Sequence, residues 1–179
     1  MGILAVNAIN EIIALKRQMQ LVDEWNVERM TVPNVQPSEE DVLAVEKGVA
    51  QPLPTEFRRF ICEFDGWNSV SGELHLLSTR QIFTGLGEYA NRLYRENRPS
   101  TKQFFLPVAV TTPGLDYFSC FGLVGNEFFT DRVLEFNQFS ETAEYKDVWA
   151  MIEMLCDGLK GSLAGLLTSQ QGAASPDSV

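Results

Sequence analysis

The sequence has few of the residues on which metal sites and nucleophilic catalysis most often depend. It contains one histidine, His75, and three cysteines, Cys62, Cys120 and Cys156, with no CxxC pair among its 179 residues. Each cysteine lies within an apolar pattern, which indicates reduced core thiols in a cytoplasmic protein, without a disulfide framework or a zinc site. We therefore expect no metal and no cofactor.

The chain also lacks long hydrophobic runs and a surplus of basic residues. No apolar run approaches the roughly 20 residues that cross a bilayer, and no basic residue precedes the apolar stretch at 1–6, as it would in a secretion signal. The 14 basic residues are outnumbered by 24 acidic ones, which gives a formal net charge of −10. Binding to nucleic acid or to anionic membranes needs a cationic face, so we expect neither partner.

Hydrophobic periodicity predicts a single α+β domain in which helices cover a mostly antiparallel sheet. Helical spacing occurs at 7–30, 38–48, 57–64, 80–97 and 141–159, and strand-like segments occur at 73–78, 104–111, 116–124 and 132–139. Short Pro-Gly and Gly-Asn turns separate the last three strands, which favours antiparallel pairing. We divide the chain into an N-terminal helical extension (1–34), the α+β domain (35–167) and a disordered tail (168–179).

Two local signals define the second and third helices. Ser38 precedes three acidic residues, which predicts an N-cap followed by an acidic first turn. The third helix carries large apolar residues at i, i+3, i+4 and i+7, and Asp65-Gly66 then ends it. Gly66 suits the left-handed conformation that often follows a helix.

Two patterns could carry chemistry, and each has a simpler structural interpretation. His75 alternates with leucines in a predicted strand, and no nucleophile lies in a recognisable elbow near it, which favours an edge or surface histidine. Residues 85–90 match GxGxxA, but a dinucleotide site needs these glycines between a strand and a helix. Because the helical pattern begins before Gly85, we expect the glycines to allow close packing or a kink instead.

Charge is distributed unevenly along the chain. Residues 110–158 carry nine acidic and two basic residues, whereas residues 80–109 carry five basic and two acidic ones. An acidic surface attracts cationic proteins and accelerates their encounter, although it also serves plain solubility. Four of the acids could instead form a two-metal hydrolytic site, although the intervals between them follow no known ligand pattern. These acids are Asp116, Glu127, Asp131 and Glu135.

Two segments resemble the SUKH superfamily, which includes fungal regulators of cell-wall synthesis and many bacterial immunity proteins. They are the acidic helix at 38–46 followed by Gly48, and Leu53-Pro54-Thr55-Glu56-Phe57-Arg58-Arg59-Phe60 running into Phe64-Asp65-Gly66-Trp67. Later segments at 105–109, 133–136 and 148–149 keep the order of that family, so the resemblance covers about 35–160. It implies an α+β fold without catalysis and, for the bacterial members, neutralisation of a secreted toxin, often a nuclease or a nucleic-acid deaminase.

The resemblance and the charge together suggest an immunity protein that binds a basic toxin domain. An enzyme that holds nucleic acid is cationic around its active site, and an acidic protein can block that site. The predicted charged contacts are Asp116, Glu127, Asp131 and Glu135. Trp67 is a candidate aromatic anchor, or else a residue packed beneath the turn before it. Two alternatives stay open: a scaffold or regulatory module in envelope or cell-wall signalling, and a small metal-dependent hydrolase.

Overall fold

The structure is a computed structural model that describes residues 2–23, 28–112, 119–137 and 141–173. Its helices are α1 (Gly2–Val22), α2 (Glu39–Val49), α3 (Thr55–Glu63), α4 (Gly85–Asn97) and α5 (Val148–Ala173). Its strands are β1 (Trp67–Ser71), β2 (Leu74–Leu76), β3 (Phe104–Thr111), β4 (Ser119–Gly125), β5 (Val133–Asn137) and β6 (Glu141–Tyr145). Within these residues the strands form one antiparallel sheet in the order β1 to β6. The predicted α+β class is therefore confirmed.

The chain divides into two compact units. One unit comprises residues 32–151 and contains the whole sheet, and the other comprises residues 1–31 and 152–179. In the second unit, Glu11 pairs with Lys160 at 3.1 Å, and the Gln170 amide donates to the Val22 carbonyl at 3.0 Å. The contact that lies later in α1 also lies later in α5, so α1 and this part of α5 run in the same direction.

The second unit also contains a buried ion pair that the sequence pattern did not indicate. The Lys16 ammonium lies 3.3 Å from Glu28, and the Lys16 side chain is fully buried. Burial lowers the pKa of Lys16, while Glu28 acts in the opposite direction.

Among the described residues, no helix combines the length and the apolar character needed to cross a bilayer.

The local signals around α2 and α3 are confirmed. Ser38 caps α2 in a full capping box with Asp41, and Ala50 ends the helix in the left-handed conformation. The predicted apolar face of α3 lies inward, with three buried residues: Phe57, Phe60 and Ile61. Phe60 packs edge-on against Trp149, with ring centroids 5.3 Å apart.

Several predicted boundaries are wrong, chiefly where strand pairing overrides the local pattern. Residues 141–145 form strand β6 on the edge of the sheet instead of starting the last helix, which begins at Val148. Residues 67–71 form an additional strand, β1. Helix α1 ends at Val22, before the predicted residue 30, and α5 continues to Ala173, into the predicted tail.

One face of the sheet packs against α4 through aromatic rings. Tyr94 stacks on Phe105 of β3, with centroids 4.3 Å apart, and meets Phe136 of β5 edge-on at 5.2 Å. Gly122 of β4 makes room for this stack, because a Cβ atom there would lie 2.2 Å from the Phe105 ring. The Arg98 guanidinium lies over both Tyr94 and Phe136.

Candidate functional site

Trp67, the candidate aromatic anchor, lies in the core. Its exposure is 0%, so it cannot contact a partner on the surface of this structure. The turn before it is tight: Gly66 has a φ of +79°, and a Cβ atom there would lie 2.6 Å from the backbone nitrogen of Ser78. The anchor interpretation is therefore wrong at this residue, and packing beneath the turn is confirmed.

Asp131, a predicted charged contact, caps helix α3. One carboxylate oxygen accepts hydrogen bonds from the backbone N–H groups of Glu56, at 2.8 Å, and Phe57, at 3.3 Å. The helix needs this acceptor because Pro54, its own N-cap residue, provides no side-chain cap. The half-buried carboxylate is therefore used inside the fold, and its predicted contact with a partner stays a prediction.

Glu135 is also used inside the fold. Its two carboxylate oxygens accept hydrogen bonds from the Ser119 hydroxyl at 3.1 Å and from the Tyr145 hydroxyl at 2.9 Å. The half-buried Glu135 therefore links β4, β5 and β6 on one face of the sheet. A side chain that satisfies two hydroxyl groups is costly to redirect, and the predicted contact of Glu135 with a partner stays a prediction.

Of the two remaining predicted acids, Glu127 lies within the described residues. Asp116 lies outside the described residues. Glu127 is exposed in the loop between β4 and β5, and no described residue pairs with it. Across the described ranges, no group of three or more His, Cys, Asp or Glu side chains is arranged to hold a metal ion.

His75 is held in a hydrogen-bond network that involves both ring nitrogens. Its Nδ1 accepts from the Ser69 backbone N–H at 3.2 Å, and its Nε2 lies 2.8 Å from the Thr112 hydroxyl. That hydroxyl donates to Glu73 at 3.0 Å, so it must accept its bond from an Nε2–H group. The network assigns the neutral Nε2–H tautomer, and burial lowers the pKa of His75.

The three cysteines are free thiols, and the Arg58 guanidinium lies 3.9 Å from the Sγ atom of Cys62. Cys120 and Cys156 are buried, as predicted, whereas Cys62 is half-buried. Burial raises the pKa of all three, and that of Cys156, next to Glu11, reaches about 11. Each is therefore protonated at neutral pH, which is the unreactive form of the group.

The GxGxxA segment lies at the start of α4. The prediction that the helix begins before Gly85 is therefore wrong. The helix begins at Gly85, and the residues before it form turns, so the strand that a dinucleotide site requires is missing there. A Cβ atom on Gly87 would lie 2.2 Å from the Gln81 carbonyl oxygen. The predicted close packing is thus confirmed at Gly87.

The β4–β5 loop presents an acidic and an aromatic side chain together. Glu127 and Phe128 are consecutive and exposed, and Phe128 is 68% exposed. The loop beneath them is tightly held: a Cβ atom on Gly125 would lie 1.8 Å from the Phe128 carbonyl oxygen, and Thr130 donates its N–H to the Val124 carbonyl at 3.1 Å. Aromatic side chains, including phenylalanine, are enriched at protein interfaces.

Strand β6 adjoins this loop and forms one edge of the sheet. Glu141 and Glu144 of β6 are exposed, and Glu144 pairs with Arg132 at the base of the loop. Glu141 pairs with Arg98 at 3.2 Å. The pair of Glu144 with Arg132 is exposed, and exposed ion pairs contribute about 0–1 kcal/mol, so a cationic partner can compete for Glu144. We call Glu127, Phe128 and the edge strand β6 the acidic loop face.

Sequence reasoning missed Phe128 and the two glutamates of β6. The Gly-Asn turn did predict a loop at this position, but two phenylalanines follow it and only their burial tells them apart. Phe129 donates its N–H to Gln51 at 3.0 Å, whereas Phe128 projects into solvent.

No protein-family model matches this chain, and no curated protein is similar enough to count as a relative.

Proposed function

We propose that the protein is a non-catalytic binding module of the SUKH type, an immunity protein that neutralises a cationic toxin domain in the cytoplasm. The observation that carries the proposal is the acidic loop face, where Glu127 and Phe128 lie exposed on a tightly held loop beside the acidic edge strand β6. The order of α2, α3, the glycine turn and the sheet supports the assignment to this type.

The acidic loop face has the properties of a surface that recognises basic proteins. Negative side chains steer a cationic domain and accelerate its association. An exposed ring such as Phe128 can then enter a pocket and supply much of the binding energy. The open backbone of β6 adds a row of N–H and C=O groups with which an extended segment could pair.

The test is growth rescue in a bacterial host. The probe is the C-terminal domain of the secreted protein that we expect the adjacent gene to encode, expressed together with this full-length chain. We expect growth arrest by the domain alone and rescue by the chain. Loss of rescue is expected with E127K combined with F128A, because this variant removes both the charge and the ring.

The matched control lies on α2, where Glu40 is an exposed acid and Leu43 is a 51% exposed apolar residue. E40K combined with L43A changes charge and apolar area in the same way, and we expect it to rescue growth. With purified proteins, the loop variant should bind at least about tenfold more weakly. Association with the unaltered chain should slow as salt rises.

Several outcomes would contradict the proposal. One is an adjacent gene that encodes no secreted protein, and another is an equal loss of rescue in the two double variants. Recovery of several unrelated cellular partners with the full-length chain would favour the scaffold alternative. A rise in thermal stability at saturating Mg²⁺ or Mn²⁺ would favour the hydrolase alternative.

A further inference from the structure

A groove with a volume of ≈ 650 Å³ lies within the unit formed by residues 32–151. It is bordered by the end of α2, by α4 and the segment after it, by the start of β3 and by the β4–β5 loop. Binding sites for small molecules usually have volumes of about 300–1,000 Å³. The groove is thus large enough for a ligand of nucleotide size.

Exposed aromatic rings form one part of the groove. Phe104 is 49% exposed and Phe83 is 39% exposed, and both rings line the groove. Phe104 lies beside Phe129, with centroids 6.0 Å apart. Gly48 lets the Phe83 ring lie directly on α2, because a Cβ atom there would be 2.6 Å from that ring. A flat ligand ring can stack on such surfaces.

Two cationic side chains in the lining have no described partner. Arg95 and Lys102 are both exposed, and neither forms an ion pair with any residue that the structure describes. Arg98, also in the lining, contrasts with them: it pairs with Glu141 and lies over two aromatic rings. Because the lining contains no acidic side chain, Arg95 and Lys102 leave positive charge uncompensated within the groove.

The polar groups of the lining also favour an anion. Gln51 uses its side-chain oxygen to accept from the Phe129 N–H at 3.0 Å, and Gln103 uses its oxygen to accept from the Tyr94 hydroxyl at 2.9 Å. Among the described residues, neither NH₂ group has a hydrogen-bond acceptor, so both can donate to a ligand. The groove therefore offers N–H donors and positive charge, which phosphate and carboxylate groups accept.

We propose that this groove binds a small anion that carries a flat ring, the chemistry shared by nucleoside phosphates and aromatic carboxylates. The ring stacks on Phe104 and the charged group lies at Arg95 and Lys102. The sign of this charge is opposite to that of the acidic loop face, so the two surfaces suit different partners, although the β4–β5 loop borders the groove and Arg98 of its lining pairs with Glu141 of that face. The inference is accordingly independent of the proposed function, and either can fail alone.

The first experiment is calorimetric titration of the full-length chain at low salt with four separate probes. AMP and indole-3-acetate carry both ring and charge, adenosine carries only the ring, and inorganic phosphate carries only the charge. We expect one of the first two to bind with Kd near or below about 100 μM. The probe that binds shows whether the charged group of the ligand is a phosphate or a carboxylate. Adenosine and inorganic phosphate should each bind at least about tenfold more weakly than that probe.

The second experiment separates the groove from general charge. R95Q combined with K102Q should weaken binding at least about tenfold, and F104A should weaken it about fivefold or more. The controls are R92Q, which removes an exposed arginine on the same helix that pairs with Glu96 at 4.0 Å, and F128A, which removes an exposed ring outside the groove. Both controls should bind within twofold of the unaltered chain.

Four results would overturn the inference. The first is no binding of either ring-bearing anion at 10 mM. The second is phosphate binding as tight as AMP binding, which would indicate an adventitious ion only. The third is an equal loss of affinity in R92Q. The fourth is binding of an acidic phenylalanine-containing peptide without either small anion, which would assign the groove to a protein segment.

Discussion

The acids at the sheet and the cations of the groove show that charge in a sequence does not by itself indicate availability for binding. Asp131 and Glu135 belong to the most acidic part of the chain, yet backbone N–H groups and hydroxyls occupy their carboxylates. Arg95 and Lys102 come from the one basic segment, and neither pairs with a described residue. Availability depends on which unsatisfied groups the fold brings next to each charge.

The largest effect should come from truncating the aromatic residue that the fold has buried. Trp67→Ala should lower the free energy of unfolding by about 3–5 kcal/mol, because it removes a fully buried indole and leaves a cavity. Urea unfolding followed by circular dichroism measures this loss. Phe128→Ala is the matched control, and it should change stability by less than about 0.5 kcal/mol. A loss below about 1 kcal/mol in the Trp67 variant would contradict the buried position.

A smaller effect on stability should distinguish Asp131 from Glu127, for which the sequence predicts the same role. Asp131→Ala should lower the free energy of unfolding by about 1–2 kcal/mol, because the N–H groups of Glu56 and Phe57 lose their cap. Asp131→Asn should restore most of this loss, since asparagine also caps helices. Glu127→Ala, at the exposed acid, should change it by less than about 0.5 kcal/mol. Equal effects at the two positions would remove the distinction between them.

The parts of the fold that could be predicted are those set by neighbours in sequence. The cap at Ser38 and the inward face of α3 follow from spacings of three and four residues, and both are present. Strand β6 could not be predicted in this way. Its five residues are Glu-Thr-Ala-Glu-Tyr, and they lack an alternating apolar pattern because the strand lies exposed at the edge. Pairing with β5 makes it a strand.

The candidate sites depend on residues that are distant in sequence. Asp131 caps a helix 75 residues away, and only one local signal existed: Pro54, at the helix start, has no side-chain acceptor. That signal shows that an acceptor is needed without showing which acid supplies it. In the groove, likewise, Phe83 and Phe104 come from separate segments, and only the tertiary structure places both rings in one lining.

The smallest effect concerns His75, another side chain that suggested chemistry and serves the fold. Burial lowers its pKa below the ordinary value of 6.5, so as the pH falls below that value the unfolded chain takes up a proton first. The unfolded state then binds more protons than the folded state, and stability falls with the pH.

His75→Gln removes this loss, so the stability gap between the variant and the unaltered chain should narrow from pH 7.5 to pH 5. Urea unfolding at several pH values measures the gap, and the carboxylates that both proteins share cancel in the difference. A gap that widens toward pH 5 would mean that the charged imidazole is favoured in the fold, through attraction to Glu73, and that burial does not dominate at this site.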